Sequence, residues 1–351
     1  MPNTRIKIEN NQFTIDGRRI WFNGVNTPWN KWNDFGGNFD EKWWDNHFAE
    51  LHAAGINSSR IWINCNNEQG AVNIANDGEV AGVTDQHWAD LAKLFEIAAR
   101  HKIYIMATPL SFDHFKDVGN RATDASKWRN LLHNKKAESF AQHYIIPLVQ
   151  KFGDNPYLWS IDLMNEPDWV YEGKENGNIA WDSISYLFAV CAAAIHGNSE
   201  VLVTVGMSYP KYNSDGPNCE GNKISDAFLQ GLYPNKLAYM DFWSPHYYDW
   251  VGKYYGAPFY IPPYGAYPDG YGMCPSKPAL IGECMAKGSA GNTPGTQGKT
   301  IVDDYKAAFD NGWQGVMPWT SNGVDGCGDL SHLRAATQAM ASKYPELVFP
   351  E

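Results

Sequence analysis

The stretch Trp159-Ser160-Ile161-Asp162-Leu163-Met164-Asn165-Glu166-Pro167 decides how the chain is read. It is a short, mostly apolar run bounded by turn residues, the pattern of a strand buried on both faces. Pro167 cannot continue a ladder and biases Glu166 towards an extended backbone, so the strand ends with Asn165 and Glu166 at its mouth. In an eight-stranded parallel barrel that carboxyl end is where catalytic side chains stand. On this segment alone, a strand terminus with a solvated Glu is an equal reading.

Working outward, strand and helix patterns alternate along the whole chain. Arg5–Glu9 and Gln12–Ile15 read as a hairpin turning at Asn10-Asn11, and Asp16-Gly17 leads on into Arg19–Phe22. Strands are expected at Ile20–Val25, Ile56–Ile63, Ile103–Ala107, the opening stretch, Val201–Val205, Leu237–Ser244, Pro278–Ile281 and Gly315–Trp319. Helices are expected over Phe39–Ala54, from Thr84 or Asp85, from about Asn134 to Gly153, around 184–195, over Gly298–Asn311 and over Leu330–Tyr344. Residues 249–277 form a long connection dense in Tyr, Pro and Gly. Alternation of this kind, with no repeat, linker or break in composition, points to α/β. The count favours a single (β/α)8 TIM barrel with an N-terminal β-hairpin: residues 1–351 as one catalytic domain, with 1–19 capping the barrel.

Composition narrows the partners. The chain has 351 residues and a net charge of −11 without a run of Lys or Arg, which argues against nucleic acid or an anionic membrane. No stretch is long and apolar enough to span a bilayer. The excess is aromatic, with 15 Trp, 19 Tyr and 16 Phe, and exposed aromatic platforms suit sugar rings. Cys65, Cys191, Cys219, Cys274, Cys284 and Cys327 show no Cys-x-x-Cys spacing, so no structural zinc site is expected. One or two disulfides are compatible with their positions. Met1-Pro2-Asn3-Thr4-Arg5 lacks the apolar core of a signal peptide. A secreted or periplasmic protein whose leader is absent from this sequence is expected, with a cytoplasmic one as the alternative.

At the expected rim, Arg60 ends the second strand and Asn165 and Glu166 the fourth. His246 and Tyr248 end the sixth, Glu283 the seventh and Trp319 the eighth. Two carboxylates facing each other across a rim suit acid/base and nucleophile work on a glycosidic bond. One must hold a proton and the other stay ionised, a state that Arg60 and a Tyr hydroxyl would favour.

Asn165-Glu166-Pro167, His246-x-Tyr248 and Ile281-Gly282-Glu283 in this order resemble clan A glycoside hydrolases. Within that clan the chain most resembles family 5, the cellulase and mannanase family, from Gly24-Val25-Asn26 to Trp319. The resemblance implies a retaining mechanism with Glu166 as acid/base and Glu283 as nucleophile, their carboxyls roughly 5 Å apart. It further implies Asn165 on the 2-hydroxyl of the sugar, Arg60 and Tyr248 holding Glu283, His246 lining the subsite, and Trp319 beneath the sugar beside a cis peptide. Where many relatives carry a His after strand three, this chain has Ala107-Thr108-Pro109, with His114 as the candidate substitute. Trp29, Trp32, Trp169 and Trp250 are candidate sugar platforms in rim loops.

The expectation is a monomeric endo-acting β-glycanase without metal or cofactor, acting on a polysaccharide. β-1,4-Glucan or mixed-linkage glucan is placed first and β-1,4-mannan second. A carbohydrate-binding barrel without activity is the non-enzymatic alternative, weakened by the presence of both carboxylates. A metal-dependent barrel hydrolase would need a His-x-His on an early strand, where Asn23, Asn26 and Thr27 stand instead.

Overall fold

A computed structural model describes residues 5–65, 71–116, 125–133, 135–256, 258–266, 269–289 and 296–350. The chain opens with an antiparallel sheet of β1 (Ile6–Glu9), β2 (Gln12–Ile15) and β3 (Arg18–Arg19). The parallel sheet uses β4 (Phe22–Asn26) and β5 (Ser58–Trp62). After them comes a surface hairpin, β6 (Val72–Ile74) and β7 (Val80–Val83). The parallel sheet continues with β8 (Tyr104–Thr108), β9 (Leu158–Asn165), β10 (Leu202–Met207), β11 (Ser244–Pro245) and β12 (Gly315–Val316).

Its strand order is β11-β10-β9-β8-β5-β4-β12. The segment 279–285 closes the circle. It bridges one edge through Trp243–Ala279 and His246–Glu283, and the other through Ile281–Val316 and Met285–Trp319. Eight parallel segments therefore form a closed barrel, which leaves no edge to pair with another chain.

The ring of helices grows from ordinary signals. Asp40 caps Glu41–Ala53 through Trp43 N–H, Thr84 caps Asp85–His101 through His87 N–H, and Thr300 and Asp303 form a reciprocal box that starts the helix at Ile301. This box is why Gly298 and Lys299, expected to be helical, lie outside Ile301–Asp310. The helix expected from Asn134 runs over Ala137–Phe152 with a π-helical turn at Ala141–Ile145, while Asn134 itself lies outside the described residues. Pro147 has no N–H to give a regular α-helix, and a widened turn just before it accommodates that loss. Unread elements include the helices Ala125–His133 and Asp226–Leu232 and the β6–β7 hairpin, whose Asp77-Gly78 is the same turn signal as Asp16-Gly17. Of the strand expected at 237–244, only Ser244 belongs to a regular strand.

The barrel interior is layered. Its lower half is apolar, with Phe22, Met106, Trp159, Phe242, Leu280 and Met317 buried together. The N-terminal sheet plugs this end. Phe13 sits edge-on to Phe22, Trp159 and Phe242 at centroid distances of 4.9, 5.6 and 5.2 Å. Asparagines tie the wall to the helices where strand backbone lacks a partner. Asn23 donates to the carbonyls of Gly55 and Thr337, and Asn57 to those of Trp21 and Val348. No helix among the described residues is long and apolar enough to cross a membrane.

Phe13 is fully buried and its ring is the plug, so Phe13→Ala should destabilise the fold by about 3–5 kcal/mol in chemical denaturation. A loss of under about 1 kcal/mol would mean that the hairpin is only loosely attached.

Candidate active site

Above the apolar floor, one charged side chain organises the barrel. Arg60, from the middle of β5, is fully buried, and each of its five N–H groups has an acceptor. Nε and Nη2 both lie 2.7 Å from Asp162 Oδ2. Nη1 reaches Asn26 Oδ1 at 3.0 Å and Glu283 Oε1 at 2.6 Å, and Nη2 reaches Asn165 Oδ1 at 2.9 Å.

Asp162 and Asn165 meet the same guanidinium although they are three residues apart, which a regular strand of period two does not allow. A β-bulge resolves this. Thr204 pairs with Asp162 and Gly206 with Asn165, so Leu163 and Met164 together oppose Val205. The extra residue turns Asn165 inward and delivers Glu166 to the rim.

Glu166 is not extended, as the proline after it led us to expect. Its φ is +48°, in the left-handed region that a non-glycine residue adopts only when its surroundings over-determine it. Here they do. Its N–H donates to Gly206 O at 2.7 Å, Trp169 Nε1 donates to its Oε2 at 2.7 Å, and His246 Nδ1 lies 2.9 Å from its Oε1.

The two carboxyls stand close. One oxygen of Glu166, one of Glu283 and a nitrogen of His246 all lie within 4.8 Å of one another. Glu283 is held by Arg60 on Oε1 and by the Tyr248 hydroxyl on Oε2 at 2.8 Å. Burial raises the Glu283 carboxyl above its ordinary range, and His246, Arg60 and Tyr248 oppose the rise. Burial pushes Glu166 up to about 7, against the Trp169 hydrogen bond. Only Glu283 touches a cation, so a proton shared by the pair rests on Glu166. His246 is driven by burial down to about 4 and stays neutral. Its Nδ1 lies between Glu166 Oε1 and Glu283 Oε2, the latter at 3.5 Å, so Nδ1 carries the ring proton.

These three residues are also a possible donor set for a metal. The donor atoms that face each other are already committed, Glu166 Oε1 to His246 Nδ1 and Glu283 Oε2 to the Tyr248 hydroxyl, and a cation would have to displace these contacts.

A cleft of about 700 Å³ opens over the carboxylates. Trp29, Trp32, Trp62 and Trp319 wall one side, and Phe112, Asp113, Tyr248, Asp325 and Cys327 complete it. The Trp319–Thr320 peptide is cis, and Trp319 Nε1 donates to Asp325 Oδ2 at 3.2 Å. Trp29 and Trp32 line the cleft. Trp169 touches Glu166 but does not line this cleft, and Trp250 packs on Trp169 at 5.7 Å, further out on the same side.

His114 does not substitute for the strand-three His. It is buried beside Asn64 and edge-on to Trp128, and it closes a capping box with Ser111, which leaves no side-chain atom for a ligand in the cleft. The turn it stabilises presents Asp113 to the cleft instead, with Ser111 Oγ bonded both to Asp113 Oδ2 and to Asn165 Nδ2. Asp113 was missed, and the Ser111-x-x-His114 cap was the signal that would have turned His114 inward. Asp162 and Trp62 were also missed; the Asp162-x-x-Asn165 spacing makes sense only once the bulge is known. All six cysteines are free thiols, so no disulfide forms. Cys284 is buried packing beside Glu283, its thiol raised far above the ordinary range by burial.

No known family model matches the chain. It is similar to the mannan endo-1,4-beta-mannosidase of Cryptopygus antarcticus, with 25% identity over 359 aligned positions that cover 92% of this chain and 86% of that protein. It is similar also to the mannan endo-1,4-beta-mannosidase of Mytilus edulis, 22% identical over 361 positions covering 95% and 93%. Among solved structures, the beta-1,4-mannanase of the sea hare Aplysia kurodai superposes with a TM-score of 0.81 at 22% identity over 99% of both chains, a likeness of fold. The glucan-first ordering drawn from the sequence is overturned by these relatives, both of which are named for mannan.

Proposed function

We propose that the protein is a retaining endo-β-1,4-mannanase. The observation that carries this reading is the carboxyl pair: Glu166 and Glu283 approach within 4.8 Å, and Arg60 contacts only one of them. Retaining glycosidases hold their carboxyls about 5–5.5 Å apart, whereas inverting ones leave roughly 6.5–9.5 Å for a water. The choice of mannan rests on the relatives named above.

In this reading Glu283, oriented by Arg60 and Tyr248, attacks the anomeric carbon while Glu166 gives its proton to the departing glycosidic oxygen. The glycosyl-enzyme is then opened by a water that Glu166, now ionised, deprotonates. Asn165 Oδ1 is occupied by Arg60, so its Nδ2 is the group that meets the sugar 2-hydroxyl. Trp319 supplies the apolar surface under that sugar. The Trp169 indole N–H stabilises the carboxylate that Glu166 becomes.

Glu283→Ala should lose at least about 10³-fold activity both on mannan and on a mannobioside with a dinitrophenolate leaving group. Glu166→Ala should lose about 10²–10⁴-fold on mannan yet still release dinitrophenolate in a burst, since that leaving group needs no proton. The first anomer released, read by proton NMR, should be β. A wild-type protein that cleaves lichenan and leaves mannan intact would overturn the substrate, and near-normal turnover by Glu283→Ala would overturn the mechanism.

The acid must be protonated to act, so activity on mannan should fall as pH rises through about 7, the point to which burial lifts Glu166. Trp169→Phe removes a donor that favours the ionised form, so this limb of the pH profile should move to higher pH. A limb that stays in place or moves down would separate it from Glu166.

A further inference from the structure

Two glycines on the barrel wall, Gly206 and Gly282, lack the usual reasons for being glycine. Neither has a positive φ, so backbone conformation does not require them. What they share is a crowded position on either side of His246. A methyl on Gly206 would stand 2.7 Å from Asp162 Oδ2, 2.8 Å from His246 Nε2 and 2.9 Å from Arg60 Nη2. A methyl on Gly282 would stand 3.1 Å from His246 Cδ2 and would collide with Ser244 Oγ. Real side chains essentially never come within 3.0 Å, as each methyl would of at least one neighbour, and 3.1 Å is tighter than most real contacts, so the missing carbons are what let these groups close onto the wall.

Gly206 has two further ties. Its N–H donates to Asp162 Oδ1 at 2.7 Å, and its carbonyl accepts the Glu166 N–H at 2.7 Å. Asp162 in turn holds Arg60, which holds Glu283. One residue beside the bulge is therefore bonded towards both carboxyls, through its amide in one direction and its carbonyl in the other. Gly282 immediately precedes Glu283, and its carbonyl accepts from Asn26 Nδ2 at 3.0 Å, the same side chain that accepts from Arg60.

We propose that Gly206 and Gly282 are positioning residues: by carrying no side chain they clamp the His246 ring between two strands and fix where Glu166 and Glu283 stand. This rests on the hydrolase reading of the site, since the distance they set matters for a reaction that uses both carboxyls at once. Neither glycine touches substrate. Both act through His246, and Gly206 acts also through the Arg60–Asp162 pair.

The test is Gly206→Ala and Gly282→Ala, with Gly231→Ala as the control. Gly231 lies on an exposed helix, and nothing stands within 4 Å of its added methyl. On mannan, each site variant should lose about 10–100-fold in kcat with KM within about threefold, the signature of misplaced catalytic groups rather than lost binding. Gly231→Ala should match the wild type. The Ser244 hydroxyl and the ring both stand against the Gly282 methyl, so with Ser244→Ala in place, Gly282→Ala should cost much less when His246→Ala is also present than when it is absent.

Retention of kcat within twofold by both single variants would overturn the proposal. So would a Gly282→Ala loss that multiplies fully with that of His246→Ala when Ser244→Ala is present in both. If one variant fails to fold, the other carries the test. If the wild type cleaves no β-glycan, the hydrolase reading fails separately. The positioning claim is then read from the ring nitrogen NMR shifts of His246, which should move in Gly206→Ala and Gly282→Ala but not in Gly231→Ala; unmoved shifts would overturn it.

Discussion

A guanidinium with no access to water is the constraint on which the upper barrel depends. Arg60 has five donors and must find an acceptor for each, because an unpaired buried charge is far more costly than the modest gain from any one hydrogen bond. The acceptors come from Asn26 on β4, Asp162 and Asn165 on β9, and Glu283 on the seventh segment. Removing one partner from a buried ionic set costs about 3–5 kcal/mol. That cost links the register of three separate strands to one side chain.

The same set explains the inequality of the two carboxyls. Arg60 carries one positive charge against Asp162 and Glu283, so the cluster is already negative before Glu166 is counted. Burial is the main reason that Glu166 keeps its proton, and the Asp162 charge adds to it. Asp162 thus has two effects. It anchors Arg60 where Glu283 needs it, and it uses enough of the positive charge that a second ionised Glu is disfavoured. Without Asp162, the cation would stabilise both carboxylates and blur the difference between them.

The layout of the barrel was legible because period and punctuation are local. Alternating strand and helix patterns, Asp16-Gly17, Gly55 after its helix and the Thr84 cap can each be read within a few residues. Arg60, Glu166 and Glu283 at the strand mouths were legible because they interrupt apolar runs and stand out against their neighbours. What could not be read depends on partners distant in sequence. The bulge at Leu163–Met164 exists only relative to β10, and with it go the inward turn of Asp162 and the left-handed backbone of Glu166. His114 was misread because its side chain satisfies its own turn, and Asp113 was overlooked because that turn alone aims it at the cleft. The preference for glucan had no physical basis in the strands at all, since sugar identity is decided by loops whose shape the pattern does not determine.

The tryptophans above the carboxylates pack on one another and line the cleft at the same time. Trp29 lies 4.8 Å from Trp32, 4.9 Å from Trp62 and 6.0 Å from Trp319, mostly edge to face, and Trp62 lies 5.6 Å from Trp319. Each ring is held by its neighbours and still offers surface to the cleft. Ordering a free side chain on binding costs about 0.5–1.5 kcal/mol, and a wall that is already interlocked avoids most of that cost. Packing among the rings is therefore part of how the cleft would hold a sugar, and replacing one ring would loosen the others as well as remove a contact. The loops of β4, β5 and β12 that carry these rings meet at the Asn26 seam, where Asn26 Nδ2 donates to Gly282 O and Met317 O while its Oδ1 accepts from Arg60. The aromatic wall and the ionic layer beneath it are in this way joined at one asparagine.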